Sequence, residues 1–381
     1  MQFYKATSNG IVDDEDIENI RQCIEAAYNS ADYIGSLVVG TLEKGARIFL
    51  RLLILLNPIN SRKLNNELKF SVPLIKTSRE INSPALNDSL KANMSPTILL
   101  TGASGNVGRE VLRSLKDKPA TIRVASRSPV SLGEQQNPNT VYLDFEDPTT
   151  YLNAIAGCQS VFLLRPPAIS NVKATLNPFI DTARQAGVQQ IVFLSVAGAD
   201  RNRIIPHYAV EQHLQTHPGN WTILRPGFFA QNLGTAYRSD IRNDDRLYLP
   251  SGRGRVAFVD LRDVGQVAAD ALVSWKTHQG KAYTLTGPQA FSFEEVAEFL
   301  TQVLGRKIRY DSASIWGYAR HLQRQNLPGA QILVQTLLHL GLGFGQAETV
   351  DPTLEQLLSR KPLDVRDYIT DHAQLWRKGS T

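Results

Sequence analysis

The chain has 381 residues, of which 42% are hydrophobic and 20% charged, and its formal net charge is +5. This balance is typical of a soluble globular protein, and the positive charge forms no basic cluster of the kind found in nucleic-acid-binding proteins, so we expect no nucleic-acid partner. The only two cysteines, Cys23 and Cys158, exclude a disulfide framework and favour a reducing compartment.

The N-terminal region differs from the rest of the chain. Residues 1–56 predict a helical extension of two amphipathic helices, which either pack as a hairpin or, through 33–56, dock on a membrane surface or a protein partner. Acidic residues such as Asp13 and Glu18 are unlike a signal or transit peptide, and no apolar stretch reaches the ~20 residues of a membrane span, so we expect a cytoplasmic protein. Residues 57–94, rich in Asn, Ser, Pro and Lys, predict a linker.

A glycine-rich turn follows the first predicted strand of the main domain. Thr97–Thr101 is an apolar strand-like run, and Gly102, Gly105 and Gly108 follow at three-residue spacing before an amphipathic helix that reaches Leu115. Strand, glycine turn and helix form the context of a dinucleotide fingerprint, in which the helix N-terminus faces a pyrophosphate. The spacing is G-x-x-G-x-x-G instead of the commoner G-x-G-x-x-G. The other cofactor contacts predicted in this turn are Ser104, Asn106 and Val107.

Strands and helices alternate after this turn. The further predicted strands are Thr121–Ser126, Thr140–Leu143, Ser160–Leu164, Gln190–Ser195 and Trp221–Leu224. The predicted helices begin at Asp147-Pro148, span Asn177–Gln185 before Gly187, and run from about His207 to Gln215. Repeated β-α units predict an α/β fold, with a doubly wound parallel Rossmann sheet over 95–232.

Residues 233–381 predict a smaller, C-terminal substrate-side region whose strands return to the main sheet. The predicted strands of this region are Val256–Asp260 and Ala282–Thr286, and the predicted helices are Asp263–Ser274 and Ser292–Leu304. The remainder, 310–381, is expected to be mostly helical and irregular.

Arg127 follows the second strand in the stretch S-R-S-P, where an NAD site would carry an acid. No acid stands at this turn, and an arginine suits a 2′-phosphate, so NADP(H) is favoured over NAD(H). After the third strand, Asp144 can accept from an adenine amino group while Phe145 packs on the ring edge. Alternatively, Asp144 only begins the turn before the next helix, and the sequence leaves both interpretations open.

The ends of the later strands supply the remaining candidates, because a dinucleotide passes the carboxyl ends of parallel strands. These candidates are Leu164, Arg165 and Pro166 after the fourth strand, Ser195 at the end of the fifth, and Pro226 and Gly227 after the sixth. Pro226 and Gly227 form a turn close to the expected position of the nicotinamide.

Several motifs together carry a family resemblance. T-G-A-S-G-N-V-G, S-R-S-P, F-L-S-V-A-G-A, H-Y-A-V-E-Q-H-L and W-T-I-L-R-P-G-F-F-A-Q-N-L occur in this order. The chain from Ser95 to about Trp376 resembles the NmrA-like branch of the atypical short-chain dehydrogenases/reductases, which contains NADPH-dependent quinone and triphenylmethane reductases and non-catalytic redox sensors. Residues 1–94 have no counterpart in that branch and are interpreted as an accessory segment, or a fusion or start-site artefact.

The resemblance also exposes a departure in the catalytic residues. Ordinary short-chain reductases use Tyr-x-x-x-Lys, whereas Tyr208 is followed by Gln212. The branch's alternative is Lys or His followed four residues later by Glu, which His207 and Glu211 match. The resemblance therefore implies that His207 binds the ribose or donates a proton. Ser195 and Tyr208 are the other catalytic candidates.

The leading hypothesis is an NADPH-dependent oxidoreductase that transfers hydride to a small quinone or carbonyl-type electrophile. The main rival is an NADP(H)-sensing regulatory protein without turnover, which the missing Tyr/Lys pair permits. A nucleoside-diphosphate-sugar epimerase-like enzyme is the third hypothesis, because it shares the glycine spacing. His213 and His217 lack the glutamate of H-E-x-x-H, so no metal site is predicted.

Overall fold

The computed structural model describes residues 95–127, 139–216 and 221–378. The predicted helical extension and linker of 1–94 lie outside these ranges, as does His217. Within the described ranges, none of the helices combines the length and the apolar character that crossing a bilayer requires.

Eleven strands are present in the described part of the chain. They are β1 (Thr97–Leu100), β2 (Thr121–Ser126), β3 (Thr140–Tyr142), β4 (Ser160–Leu164), β5 (Gln190–Leu194), β6 (Trp221–Pro226), β7 (Arg246–Leu249), β8 (Arg255–Val256), β9 (Lys281–Leu285), β10 (Phe291–Ser292) and β11 (Arg309–Ser312). Seven of them form one parallel sheet in the order β3-β2-β1-β4-β5-β6-β9. The strand order reverses between β1 and β4, which confirms the predicted α/β fold with a doubly wound Rossmann sheet.

The helices in the described ranges cover the two faces of this sheet or belong to the C-terminal region. They are α1 (Asn106–Leu115), α2 (Tyr151–Ile155), α3 (Leu176–Gln185), α4 (Pro206–Gln215), α5 (Arg238–Asn243), α6 (Leu261–Val273), α7 (Trp275–His278), α8 (Phe293–Leu304), α9 (Ile315–Arg324), α10 (Gly329–Gly343), α11 (Thr353–Leu358) and α12 (Val365–Asp371). Because successive strand residues point to opposite faces, Leu100 and Phe162 pack with α1 and α6, whereas Leu99 and Phe193 pack with α2, α3 and α4. At Gly265, α6 approaches α1 so closely that a Cβ would lie 2.7 Å from the backbone carbon of Glu110.

A third core lies in the C-terminal region. It is built from β7, β8, α5, α8, α9, α10 and α12, and includes Phe228, Tyr237, Phe293 and Trp376. Two small sheets belong to this region, one pairing β8 with β10 and the other pairing β7 with β11. β9 then joins the main sheet beside β6. The division of the chain after residue 232 stays a prediction.

Most predicted boundaries agree with the structure. β2 and β4 have the predicted bounds, and the Asp147 carboxylate caps the next helical turn by accepting from the N–H of Thr149 at 3.0 Å. The predicted strand Val256–Asp260 is wrong for most of its length, because beyond Val256 only Val259 makes a bridge, to Phe229.

Candidate active site

The glycine turn between β1 and α1 is held by its own backbone. Gly102 has φ +69°, the left-handed conformation that favours glycine, and its carbonyl accepts from the N–H of Gly105 at 3.0 Å. A Cβ on Gly108 would lie 2.1 Å from the Gly102 oxygen, so α1 can pack against the turn only with glycine there. No side chain caps α1, and the positive end of a helix dipole favours an anion at its N-terminus. The turn can therefore receive an anion.

The other predicted residues of the turn have different environments. The Val107 side chain is buried in the core under α1, so it does not face a ligand. Ser104 is exposed, and the Asn106 Oδ1 atom accepts from Arg109 Nη2 at 2.8 Å. Arg109 also donates from Nε to the Gly105 carbonyl at 3.4 Å. The sequence analysis did not name Arg109 as a residue of the turn, although its position directly after the third glycine indicates that it lies there.

β4 lies directly beside the glycine turn. The Thr101 hydroxyl donates to the carbonyl of Phe162 at 2.9 Å and accepts from the N–H of Leu164 at 2.9 Å. A Cβ on Gly102 would lie 3.2 Å from a Leu164 methyl carbon. Leu164 therefore lies beside the turn, and its predicted contact with a cofactor stays a prediction.

Arg127 is exposed at the carboxyl end of β2, the neighbour of β1 in the sheet. Among the described residues, no carboxylate pairs with its guanidinium. An exposed cation on the strand next to the glycine turn is therefore available to an anionic group.

Asp144 and Phe145 follow β3. The Asp144 Oδ1 atom accepts from the N–H of Glu146 at 2.9 Å, which is the local turn contact that the second interpretation expected. Phe145 is 6% exposed and packs edge-on against Phe179, with ring centroids 5.1 Å apart. Phe145 thus belongs to the core, and its packing on the edge of an adenine ring stays a prediction. A contact between Asp144 and adenine stays a prediction.

Arg165 is held by its own loop. Its Nη1 atom donates to the carbonyls of Pro166 at 3.0 Å, Pro167 at 3.1 Å and Ile169 at 2.6 Å. Its Nε atom donates to the Nε2 atom of His207 at 3.4 Å. The guanidinium thus faces protein acceptors, and a direct contact with a cofactor, as predicted for Arg165, would compete with these bonds.

His207 is the second residue of α4 and is 9% exposed. Burial, followed by the nearby charge of Arg165, lowers the pKa of its imidazole well below the usual value, so the ring is neutral near pH 7. Its Nδ1 atom is buried and has no hydrogen-bond partner in the structure. A neutral histidine in this position can bind a ligand, but it is poorly suited to shuttle a proton as an imidazolium.

Ser195 belongs to a closed polar network. It is 1% exposed, and its hydroxyl donates to the buried carboxylate of Glu211. Glu211 in turn accepts from Arg225 through Nε at 3.1 Å and Nη2 at 2.6 Å, and Arg225 also lies 3.4 Å from Asp200. These bonds occupy the Ser195 hydroxyl and tie the ends of β5 and β6 to α4. A catalytic role for Ser195 stays a prediction.

Tyr208, Pro226 and Gly227 complete the predicted set. The Tyr208 ring is partly buried against the small cluster that includes Ile205, and its hydroxyl has no hydrogen-bond partner among the described residues. The carbonyl of Pro226 accepts from the N–H of Ala197 at 3.0 Å, and the N–H of Gly227 donates to the carbonyl of Leu285 at 2.8 Å. The turn after β6 is thus fixed to β9 and to the loop after β5.

These contacts form a continuous line along the carboxyl edge of the sheet. A Cβ on Gly102 would meet Leu164, the next residue Arg165 bonds to His207, and α4 is tied to the end of β6 through Glu211. A helix without a side-chain cap, a closely packed glycine turn and the buried, unpartnered Nδ1 atom of His207 are compatible with a dinucleotide at this edge. Among the described residues, no group of three or more His, Cys, Asp or Glu is suited to hold a metal. The Nε2 atom of His213 instead lies 2.7 Å from the carboxylate of Asp181.

This fold and edge define an NAD(P)-binding Rossmann protein, and comparisons with known proteins agree. A family model described as NAD(P)H-binding matches residues 102–274. An NAD(P)H azoreductase of Xenophilus azovorans is 34% identical over 221 residues, which cover 56% of this chain and 76% of that protein. The prestalk A differentiation protein A of Dictyostelium discoideum is 30% identical over 254 residues, which cover 64% of this chain and 83% of that protein.

Among solved structures, an NADPH-dependent quinone oxidoreductase of Escherichia coli in complex with NADPH has a TM-score of 0.65 and 25% identity. The match covers 73% of this chain and 99% of that one. The chain belongs to the NmrA-like atypical short-chain dehydrogenases/reductases and is an NAD(P)H-binding oxidoreductase. The expected family and general activity are thereby confirmed.

Proposed function

We propose that this oxidoreductase uses NADPH to reduce small quinones. The observation that carries the choice of NADPH is Arg127, an exposed guanidinium at the end of β2, beside the glycine turn and unpaired among the described residues. An acid at this position would favour the 2′-hydroxyl of NAD, whereas an arginine favours the 2′-phosphate of NADP. The solved quinone oxidoreductase was itself crystallised with NADPH, which supports the choice.

The proposed roles follow the contacts along the sheet edge. The first turn of α1 faces the pyrophosphate, Gly105 leaves room for it, and Arg127 binds the 2′-phosphate. The Nδ1–H group of His207 donates to an oxygen atom of the bound nucleotide, and the fixed turn at Pro226 and Gly227 lies beside the nicotinamide. When bound, the nicotinamide supplies hydride chemistry, and the protein positions it and limits access of water.

The choice of a quinone rests on the supply of protons. Reduction of a simple ketone gives an alkoxide, which requires a nearby acid, whereas hydride addition to a quinone gives a stabilised hydroquinone anion that water can protonate. The Ser195 hydroxyl already donates to Glu211, and burial keeps His207 neutral. Tyr208 is followed by Gln212 in place of the lysine of Tyr-x-x-x-Lys. The names of the quinone oxidoreductase and the azoreductase refer to conjugated acceptors, which supports the same choice.

Steady-state oxidation of NADPH and of NADH tests this proposal. The purified protein would be assayed with a panel of benzoquinones and naphthoquinones, and with matched aldehydes and ketones. We expect turnover with NADPH and quinones, slower turnover with NADH, and little with isolated carbonyls. Faster reduction of ketones than of quinones would contradict the choice of acceptor, and tight NADPH binding without any turnover would favour the sensing role.

A further inference from the structure

The Arg165 side chain connects its own loop to the imidazole of His207. Three backbone carbonyls of its own loop hold Nη1, namely those of Pro166, Pro167 and Ile169. With the guanidinium fixed in this way, its Nε–H group is directed at the Nε2 atom of His207, 3.4 Å away. Arginine stays protonated in proteins and has only donors. The His207 Nε2 atom must therefore act as an acceptor and carry no hydrogen.

This constraint determines the tautomer of His207. A neutral imidazole carries one hydrogen, so if Nε2 accepts, Nδ1 carries it and is a donor. The Nδ1 atom is buried and has no partner in the structure, although buried polar groups in proteins are nearly always hydrogen-bonded. The ring lies next to Phe193, with centroids 6.0 Å apart, which offers no acceptor for this hydrogen. A ligand oxygen is the missing partner that the position on the sheet edge suggests.

We infer that Arg165 is a positioning residue, which holds His207 in the neutral Nδ1–H form so that this group donates to an oxygen atom of the bound nucleotide. This inference rests on the proposed function for its ligand, and it replaces the direct contact between Arg165 and cofactor that the sequence suggested. Burial and the Arg165 charge also oppose protonation of the ring, which keeps the same form over a wide pH range.

The tautomer can be measured in the full-length protein without any ligand. Long-range ¹H–¹⁵N spectra of ¹⁵N-histidine-labelled protein distinguish Nδ1–H, Nε2–H and imidazolium forms, and loss of one signal set in His207→Gln assigns the residue among the seven histidines. We expect the Nδ1–H form at pH 7 and no imidazolium at pH 6. The Nε2–H form or an imidazolium would overturn the inference, even if no arginine variant folds.

The variant Arg165→Met tests whether Arg165 determines the tautomer of His207. It removes the donor and the charge, so we expect the His207 signals to shift toward the Nε2–H form, its pKa to rise, and the Kd for NADPH to increase about tenfold, as for the loss of one hydrogen bond. Arg203→Met is the matched control, because Arg203 is exposed near the start of α4, whereas among the described residues Arg165 is the arginine that bonds to the His207 ring. Unchanged His207 signals in folded Arg165→Met would overturn the inference.

Titration with NADP⁺ separates this inference from the proposed function. We expect the His207 Nδ1 resonance to move on binding in the unmodified protein. Binding of NADP⁺ with no change at Nδ1 would overturn the donor role while leaving the oxidoreductase proposal intact. Failure to bind NADP⁺ would contradict the proposed cofactor and the nucleotide partner of His207, whereas the free-protein spectra would still decide whether Arg165 sets the tautomer.

Discussion

Ser195, Glu211 and Arg225 satisfy one another at the carboxyl ends of β5 and β6, whereas His207 keeps an unused donor. The sequence predicted Ser195 and His207 at the same edge of the sheet, but it could not show which of the two is free to contact a ligand. Their roles depend on partners that are distant along the chain: Arg225 for the carboxylate that binds Ser195, and Arg165 for the ring of His207. Such pairings arise only once the sheet brings separate strand ends together.

We propose that Arg127 sets the preference for NADPH over NADH, which is a property of a single residue. Its replacement by alanine removes a charge-assisted hydrogen bond, which costs roughly 1.5–3 kcal/mol. We expect the Kd for NADPH to rise about ten- to a hundredfold, with little change for NADH, when both are measured by calorimetry. Arg113→Ala, at the exposed far end of α1, is the control and should leave both affinities unchanged. Equal losses for NADPH and NADH in Arg127→Ala would contradict the 2′-phosphate role.

His207 and Tyr208 are adjacent but differ in environment. We expect His207→Ala to weaken NADPH binding about tenfold, because the donor at Nδ1 is lost. Tyr208→Phe should change binding and turnover much less, since no lysine activates the phenol. Both variants are compared by calorimetry and quinone reduction, after thermal unfolding has shown that they are folded. An inactive Tyr208→Phe beside a fully active His207→Ala would show that the wrong member of the pair was chosen.

His339 makes the stability of the protein depend on pH. It is fully buried, its Nδ1 atom contacts the Gln335 carbonyl and its Nε2 atom contacts the Tyr237 hydroxyl, and burial lowers the pKa of the imidazole to about 4. The unfolded chain binds this proton near pH 6.5, so it binds more protons than the folded protein between pH 6.5 and 4. The free energy of unfolding should therefore decrease as the pH is lowered from 6.5 to 4. The contribution of His339 to this decrease is roughly 3 kcal/mol at pH 4.

The variant His339→Gln isolates that contribution. Glutamine can accept from Tyr237 but does not titrate, so the decline in stability below pH 6.5 should be shallower than in the unmodified protein. Urea unfolding at a series of pH values measures the difference. Parallel curves for the two proteins would show that His339 is not the group responsible.

At the level of elements, the glycine turn was predictable because all its parts are local. The strand, three glycines and the helix follow one another within Thr97–Leu115, and the structure gives two of the glycines distinct roles. β7 and β11 were missed for the opposite reason. Each is a short strand of mixed character, and their parallel pairing joins Leu247 to Tyr310 across a long stretch of chain. No local pattern indicates such a pairing.

Gly105 and Gly108 allow ligand binding and folding to be tested separately. Gly105 has φ −81° and ψ 169°, which any residue adopts, so Gly105→Val should fold but lose NADPH binding because the branched side chain occupies the pyrophosphate space. Gly108→Ala should instead destabilise the fold by a few kcal/mol, since its Cβ would lie 2.1 Å from the Gly102 oxygen. Calorimetry and thermal unfolding measure the two effects. A folded Gly105→Val with unchanged NADPH affinity would contradict the fingerprint.

At the scale of the whole molecule, residues within the described ranges pack against one another to form three large hydrophobic cores. The three large hydrophobic clusters draw on residues from Ile98 to Trp376, and β1, which begins at Thr97, lies inside the sheet between β2 and β4. The carboxyl edge of the same sheet collects every part of the candidate site. The architecture could be predicted because periodic apolar segments repeat along the chain, whereas the C-terminal core could not, since it joins short elements from many separate segments.

The last prediction concerns the residues before Met94. Ser95 and Pro96 lead directly into β1, and both faces of the sheet are covered by helices that come later in the chain. We therefore expect a truncated protein that starts at Met94 to fold and to bind NADPH with the affinity of the full chain. Thermal unfolding and calorimetry of the two proteins side by side provide the measurement. An insoluble product, or a melting temperature many degrees lower, would show that the predicted N-terminal helices pack into the main core. Removal of their apolar face would in that case expose apolar surface of the core to water.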